Sequence, residues 1–202
     1  DLDTVLQGYE ARRSVEVLKI QNAARNSTEW FENVERYSGM EIEQFAYSLL
    51  TRSQRISHEN LRLRDAQWLE GYEAWLAGGK PVLPMLTPLK VRDVQLKNRI
   101  VVSPMATYSA VDGVPQDFHL VHLGARALGG AALVFVEMTS PTPEGRITPG
   151  CPGLWNDAQQ AAFRRITDFV HGQSSAMIGM QLGHSGPKGS TQLGWEQMDE
   201  PL

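Results

Sequence analysis

The chain has a single cysteine, Cys151, and no proline before Pro81. A lone thiol excludes an internal disulfide and most cysteine-based metal sites. No apolar run is long enough to suggest a membrane span, and neither end carries a signal-peptide pattern. The reading is therefore a cytoplasmic protein in a reducing compartment, with no membrane partner. A strong charge of one sign is also missing: Lys plus Arg number 19 against 23 Asp plus Glu, for a net charge of -4. With no basic run to track a phosphate backbone, nucleic acid is not an expected partner. What is present is a hydrophobic share of 42% over 202 residues, enough for one ordinary core or two small ones.

The uneven spread of proline and glycine divides the chain. All 11 prolines lie at Pro81 or later, and 13 of the 18 glycines lie beyond Gly79. This places a boundary near Gly78-Gly79-Lys80-Pro81, between segments 1–80 and 81–202. Residues 1–80 are charged and helically periodic: Ile42, Phe45, Ala46, Leu49 and Leu50 recur at three and four, as do Trp68, Leu69, Tyr72, Trp75 and Leu76. The spacing predicts a helix over Asp65 to Ala77. It ends at Gly78-Gly79, which can turn left-handed, and at Pro81, which cannot continue a helix.

Beyond Pro81 the pattern alternates between strands and helices. A hairpin is predicted through Leu89, Val91, Val94 and Leu96, and then a short buried strand over Arg99 to Val102 that stops at Ser103-Pro104. A helix over Phe118 to Leu128 closes at Gly129-Gly130. The apolar strand Ala131 to Val136 follows and ends at Glu137. Asn156 caps a helix with an apolar face of Ala162, Phe163, Ile166, Phe169 and Val170, and Gln159 is expected to complete a capping box. A third strand, Ala176 to Leu182, runs into Gly183-His184-Ser185-Gly186. Strand, helix, strand, helix, strand implies an α/β fold with a parallel sheet. Ligands of such sheets gather at the carboxyl ends of the strands, which selects Ser103 to Tyr108, Glu137 to Ser140, and Gln181 to Gly186.

Two motifs fail on their chemistry. Gly183-His184-Ser185-Gly186-Pro187 lacks the final glycine of a nucleophile elbow, and Lys188-Gly189-Ser190-Thr191 reverses the Gly-Lys order of a phosphate loop. His119 and His122 stand three apart on one helical face, a metal-compatible spacing without an evident third ligand.

The strand ends and their flanks, taken together and in order, resemble the old yellow enzyme family of FMN oxidoreductases. The residues that carry this are Asn98-Arg99-Ile100-Val101-Val102-Ser103-Pro104-Met105, Tyr108, Phe118-His119-Leu120-Val121-His122, Val136-Glu137, Gly145-Arg146-Ile147, Leu154-Trp155-Asn156-Asp157, and Gln181-Leu182-Gly183-His184-Ser185-Gly186. The resemblance covers about Leu86 to Leu202. It implies the first three strands of an incomplete TIM (β/α)8 barrel, preceded by an all-helical segment.

The resemblance also implies roles. Ser103, Pro104, Met105 and Ala106 would lie along FMN, with Ala106 standing where relatives carry a cysteine or threonine that adjusts the flavin. Gln181 would meet the pyrimidine edge, since an amide offers both a donor and an acceptor; the alternative is a bond to neighbouring loop backbone. Met138 would pack near the ring or serve simply as core. Tyr108 is the catalytic candidate, its hydroxyl orienting a substrate carbonyl; the alternative is a packed loop tyrosine. Glu137, Arg146 and Trp155 are expected to be framework, and Cys151 inert. The implied cofactors are FMN and NAD(P)H, and the implied partner is a small molecule, an aryl-CoA thioester being one candidate; a homo-oligomer is compatible with this.

Tyr9-Glu10-Ala11-Arg12-Arg13, Gln21 to Ser27 and Trp30-Phe31-Glu32 resemble the helical tail of FAD-dependent aromatic hydroxylases. That order of parts is similar to fused salicylyl-CoA hydroxylase/oxidoreductase and aminobenzoyl-CoA monooxygenase/reductase proteins, with FAD held in an upstream domain. The expectation is a fragment of such a flavoprotein, inactive alone, since the barrel's later strands would supply the phosphate grip. Alternatives are an enone or dienoyl-CoA reductase with a helical extension, or a non-catalytic helical module on a degenerate half barrel.

Overall fold

The computed structural model describes residues 1–190, 192–196 and 200. Thr191 of the rejected phosphate-loop motif and Leu202, the expected end of the barrel segment, lie outside the described residues. The chain forms two compact units, Asp1–Leu83 and Pro84–Leu202.

The first unit is helical: α1 (Leu2–Glu32), α2 (Glu35–Ser38), α3 (Ile42–Thr51), α4 (His58–Arg64) and α5 (Ala66–Ala77). Local chemistry sets the helix ends. Asp65 caps α5 by accepting from Trp68 N–H at 2.9 Å, and Gly78 ends it with a left-handed φ of 67°. The core gathers the apolar faces of the last three helices: Leu61, Leu69 and Tyr72 are buried, with Tyr47, Ile56, Trp68, Trp75 and Leu76 packed against them. Tyr47 and Tyr72 stack at 4.3 Å. A second aromatic knot forms at the end of α1, where buried Trp30 stacks on Tyr37 at 4.9 Å and donates to Ser48 Oγ at 2.8 Å. Glu73 is a buried acid in this charged unit, and it accepts from Arg62 Nη2 at 2.6 Å and meets His58 Nε2 at 2.8 Å. The amino-terminal turns of α1 leave Leu2, Val5, Leu6 and Tyr9 exposed on one stripe.

The second unit opens with the antiparallel hairpin β1 (Leu89–Val91) and β2 (Val94–Leu96). Three strands then form a parallel sheet in the order β3 (Val101–Val102), β4 (Leu133–Thr139), β5 (Met177–Leu182). They alternate with α6 (Asp117–Leu128) and α7 (Asp157–Gln173). β3 ends at Val102 as its pattern predicts but starts two residues late, because Arg99 N–H donates to Met85 O at 2.9 Å and Ile100 N–H to Asn98 Oδ1 at 3.0 Å instead of to a neighbouring strand.

Each cross-strand row faces one side. Val102, Val134, Val136, Ile178 and Met180 share a core with Leu123 and Ala127 of α6 and Phe163, Ile166 and Val170 of α7. The opposite face carries the row Val101, Leu133 and Met177, of which Val101 and Met177 are exposed. Between Val136 and Thr139 the β4–β5 register slips, so Glu137 and Met138 stand against Gln181 alone. Such a bulge re-aims side chains where a strand leaves its sheet.

One expected cap is corrected. Asn156 caps α7, accepting from Gln159 N–H at 3.0 Å, but Gln159 does not close a box. Its side chain turns away, accepting from Trp155 N–H at 2.8 Å and donating to Asp112 O at 3.2 Å, because the amide is itself fully buried and finds its partners there. At the end of α6 the left-handed residue is Gly130, with φ 104°, while Gly129 stays helical.

Candidate functional site

The carboxyl ends of β3, β4 and β5 lie side by side because the strands are parallel neighbours. The segment leaving β3 presents Ser103, Met105 and Ala106 to solvent, with Pro104 half-buried. Tyr108 sits at φ 52°, a left-handed conformation that costs a non-glycine residue energy and here aims an exposed ring at Trp195, 5.4 Å away. Its backbone lies hard against Gly150: a Cβ there would fall 2.3 Å from Tyr108 O. From Ala110 onward the segment is fastened to the loop after β4, with Ala110 N–H donating to Gly150 O at 2.9 Å and Gly153 N–H to Gly113 O at 2.8 Å.

Met138 is half-buried and packs on the exit of β5, where a Cβ on Gly183 would meet its Cγ at 2.8 Å. Gln181 is exposed at the end of β5, and among the described residues its amide makes no hydrogen bond. The bond to loop backbone that sequence reasoning kept as the alternative is therefore not made there. The bulge sets Met138 and Gln181 next to each other on adjacent strands. The three exits thus bring together the apolar surface of Pro104, Met105 and Met138 with the unengaged polar ends of Ser103 and Gln181. A flat amphipathic ligand needs that combination.

Behind this surface lies a buried ionisable pair. Glu137 accepts from Thr107 N–H at 2.8 Å and from Thr107 Oγ1 at 2.5 Å. His119 Nε2 lies 3.3 Å from its Oε1, too oblique for a full hydrogen bond. Both side chains are 3% exposed. Burial pushes the Glu137 carboxyl up, but the His119 and Thr107 contacts together outweigh it and hold the group below the usual carboxylate range. Burial, aided by Arg126, lowers the His122 imidazole. Sequence reasoning passed over Thr107 and Gly150, since nothing in the order of residues links 107 to 137 or 108 to 150.

The residues expected as framework have structural partners. Arg146 donates to Pro143 O and Pro149 O, both at 3.0 Å, and lies over the Trp155 ring at 5.5 Å. Cys151 is buried, with Thr148 Oγ1 3.6 Å from its sulfur. Among the described residues no group of His, Cys, Asp and Glu is placed to hold a metal ion, and no helix is long and apolar enough to cross a membrane.

Comparison with known proteins bears on what this surface serves. An NADH:flavin oxidoreductase of Gibberella zeae is 44% identical over 111 residues, which is 55% of this chain and 27% of that protein. An NADPH dehydrogenase of Listeria monocytogenes is 45% identical over 106 residues, 52% of this chain and 31% of the relative. The chain thus spans about a third or less of the length of these curated relatives. Among solved structures, morphinone reductase matches with a TM-score of 0.49 at 31% identity, covering 58% of this chain and 30% of its own. The old yellow enzyme of Trypanosoma cruzi matches with a TM-score of 0.48 at 29% identity, covering 54% and 28%. The sequence model of one family matches residues 84–199, more than half of the chain and all three strand ends described above, and the chain belongs to that family, the NADH:flavin oxidoreductase / NADH oxidase family.

Proposed function

We propose that the intact polypeptide is an FMN-dependent reductase that oxidises NAD(P)H, and that this chain carries the first three strands of its (β/α)8 barrel. The observation that carries the reading is the gathering of Ser103–Ala106, Met138 and Gln181 at three adjacent parallel strand ends in a member of this family. The residues fit one face and one edge of a flavin. Pro104, Met105 and Met138 offer apolar contact, and the Gln181 amide, without a partner among the described residues, offers a donor and an acceptor to the pyrimidine edge. When bound, FMN supplies two-electron transfer between NAD(P)H and an electron-poor carbon. The chain's own contribution is to orient: Ser103 hydrogen-bonds, Ala106 leaves room where a larger side chain would touch the ring, and Tyr108 Oη holds a substrate carbonyl. The half-exposed sheet face around Val101 and Met177 suits a surface that later strands would cover.

The substrate class in this reading is a conjugated or CoA-linked, aromatic-derived compound, and the preceding part of the polypeptide is an FAD monooxygenase. The exposed stripe Leu2, Val5, Leu6 and Tyr9 on α1 is what a tail packed on a preceding domain would present. The mass of the natural polypeptide tests the fusion: a band at 22.5 kDa in source cells would end it. The flavin assignment is tested by Gln181→Ala in the intact protein. Loss of two neutral hydrogen bonds, about 1–3 kcal/mol, raises the FMN dissociation constant roughly 5- to 150-fold. Unchanged affinity would remove Gln181 from the site.

A further inference from the structure

We propose that Glu137 is a positioning residue of the flavin site, acting through Thr107 to place the segment from Ser103 to Tyr108. The inference rests on the flavin reading above and adds a residue that does not itself line the ligand surface. Its basis is how that segment is held. Once β3 ends at Val102, residues 103–109 form no regular structure until the turn at Val111. Among the described residues, the hydrogen bonds that join them to the rest of the unit are the two from Thr107 to Glu137. The Ser109 hydroxyl bonds only to Thr107 O, within the segment. One carboxylate therefore holds both the main chain and the side chain of one residue, each oxygen taking one donor.

The carboxylate is itself fixed from behind. His119 Nδ1 accepts from Gln116 N–H at 3.0 Å in the cap of α6, which leaves the ring proton on Nε2, facing Glu137 Oε1. The line of contact runs from the start of α6, through His119 and Glu137 at the β4 bulge, to Thr107. That residue lies between Ala106, which meets the flavin in the proposed site, and Tyr108, held at its left-handed φ. A carboxylate suits this place better than a neutral amide because Thr107 N–H and Oγ1–H both donate to it and the third group facing it, the imidazole N–H, also presents a proton. A glutamine would turn an NH2 toward one of those donors.

The test has a flavin-free arm and a flavin arm. In the 202-residue chain, amide exchange at Thr107 is compared between wild type, Glu137→Gln and Thr107→Val. The second variant leaves the buried acid and the β4 strand intact should the first fail to fold. Both substitutions are expected to speed Thr107 exchange about tenfold or more while amides of β4 and α7 keep their protection. In the intact flavoprotein both raise the FMN dissociation constant about tenfold and shift the bound flavin's visible absorption bands, and the double variant is no worse than the worse single. A residue that merely supports the fold would not move those bands. Unchanged exchange at Thr107 overturns the tether, and loosened exchange with unchanged FMN affinity and spectrum overturns the positioning role. A wild-type protein that binds no FMN refutes the flavin reading, and with it the role, while the exchange arm still decides the tether.

Discussion

Replacing Gln159 with leucine probes how α7 is tied to the site. Gln159 is fully buried, and its amide spans two elements, accepting from Trp155 N–H and donating to Asp112 O. Leucine nearly matches it in volume, so little cavity forms and the cost falls on the two stranded partners. Trp155 is half-buried, which puts its orphaned N–H at about 1–2 kcal/mol; Asp112 is exposed, so water replaces most of its lost partner and adds about 0.5–1 kcal/mol. Apolar burial of the leucine returns a fraction, leaving a net destabilisation of about 1.5–2.5 kcal/mol, or roughly 5–10 °C in the midpoint of a unit this size. The assay is thermal unfolding of the whole chain with amide exchange read at Trp155. Glutamate at the same position keeps the acceptor for Trp155 but aims a charge at the Asp112 carbonyl, and is expected to be worse than leucine at pH 7. A leucine variant within about 0.5 kcal/mol of wild type, with Trp155 still protected, would refute the reasoning.

Two further outcomes are expected. Burial raises the Glu73 carboxyl, but Arg62 and His58 together hold it below the ordinary value of 4.5. Its contribution is therefore fully present above that value and is lost as pH falls through the lower folded value. The helical unit should lose stability in acid below about pH 4.5, Glu73→Gln should flatten that slope, and Glu73→Ala should cost about 1–3 kcal/mol at pH 7, since Arg62 Nη2 and His58 lose their shared acceptor while Arg62 keeps its pair with Glu59. These are read by circular dichroism across pH. At Gly150 the neighbour of an added Cβ is backbone, Tyr108 O, which cannot swing aside as a side chain could. Gly150→Ala should therefore displace Tyr108, lowering turnover of the intact enzyme at least about tenfold while unfolding shifts by only about 1–3 kcal/mol. Wild-type turnover in that variant would overturn the role proposed for Tyr108.

The helix-strand alternation was legible because each element's apolar residues recur at its own period, and because proline and glycine punctuate it. Gly78, with nothing but local backbone to satisfy, ends α5 where the sequence predicts. Asn156 likewise caps α7 through a contact three residues away. Gln159 shows the limit: its position is local but its partners are not, and burial next to Asp112 and Trp155 decided where its amide turned. Which face of the sheet is covered was equally hidden, since Val101 and Val102 are the same residue type and only packing against α6 and α7 distinguishes them.

By itself the sequence determined helix α5, the order of strands and helices after Pro81 and the three strand ends where a ligand would gather, because short-range periodicity, caps and turn residues act within a few positions. Tertiary structure alone decided the bulge that sets Met138 beside Gln181, the left-handed turn at Tyr108 and the grip of Glu137 on Thr107. Those depend on groups about 30 or more residues apart meeting in a low-dielectric interior. There a buried donor or acceptor must find a partner wherever the fold happens to place one.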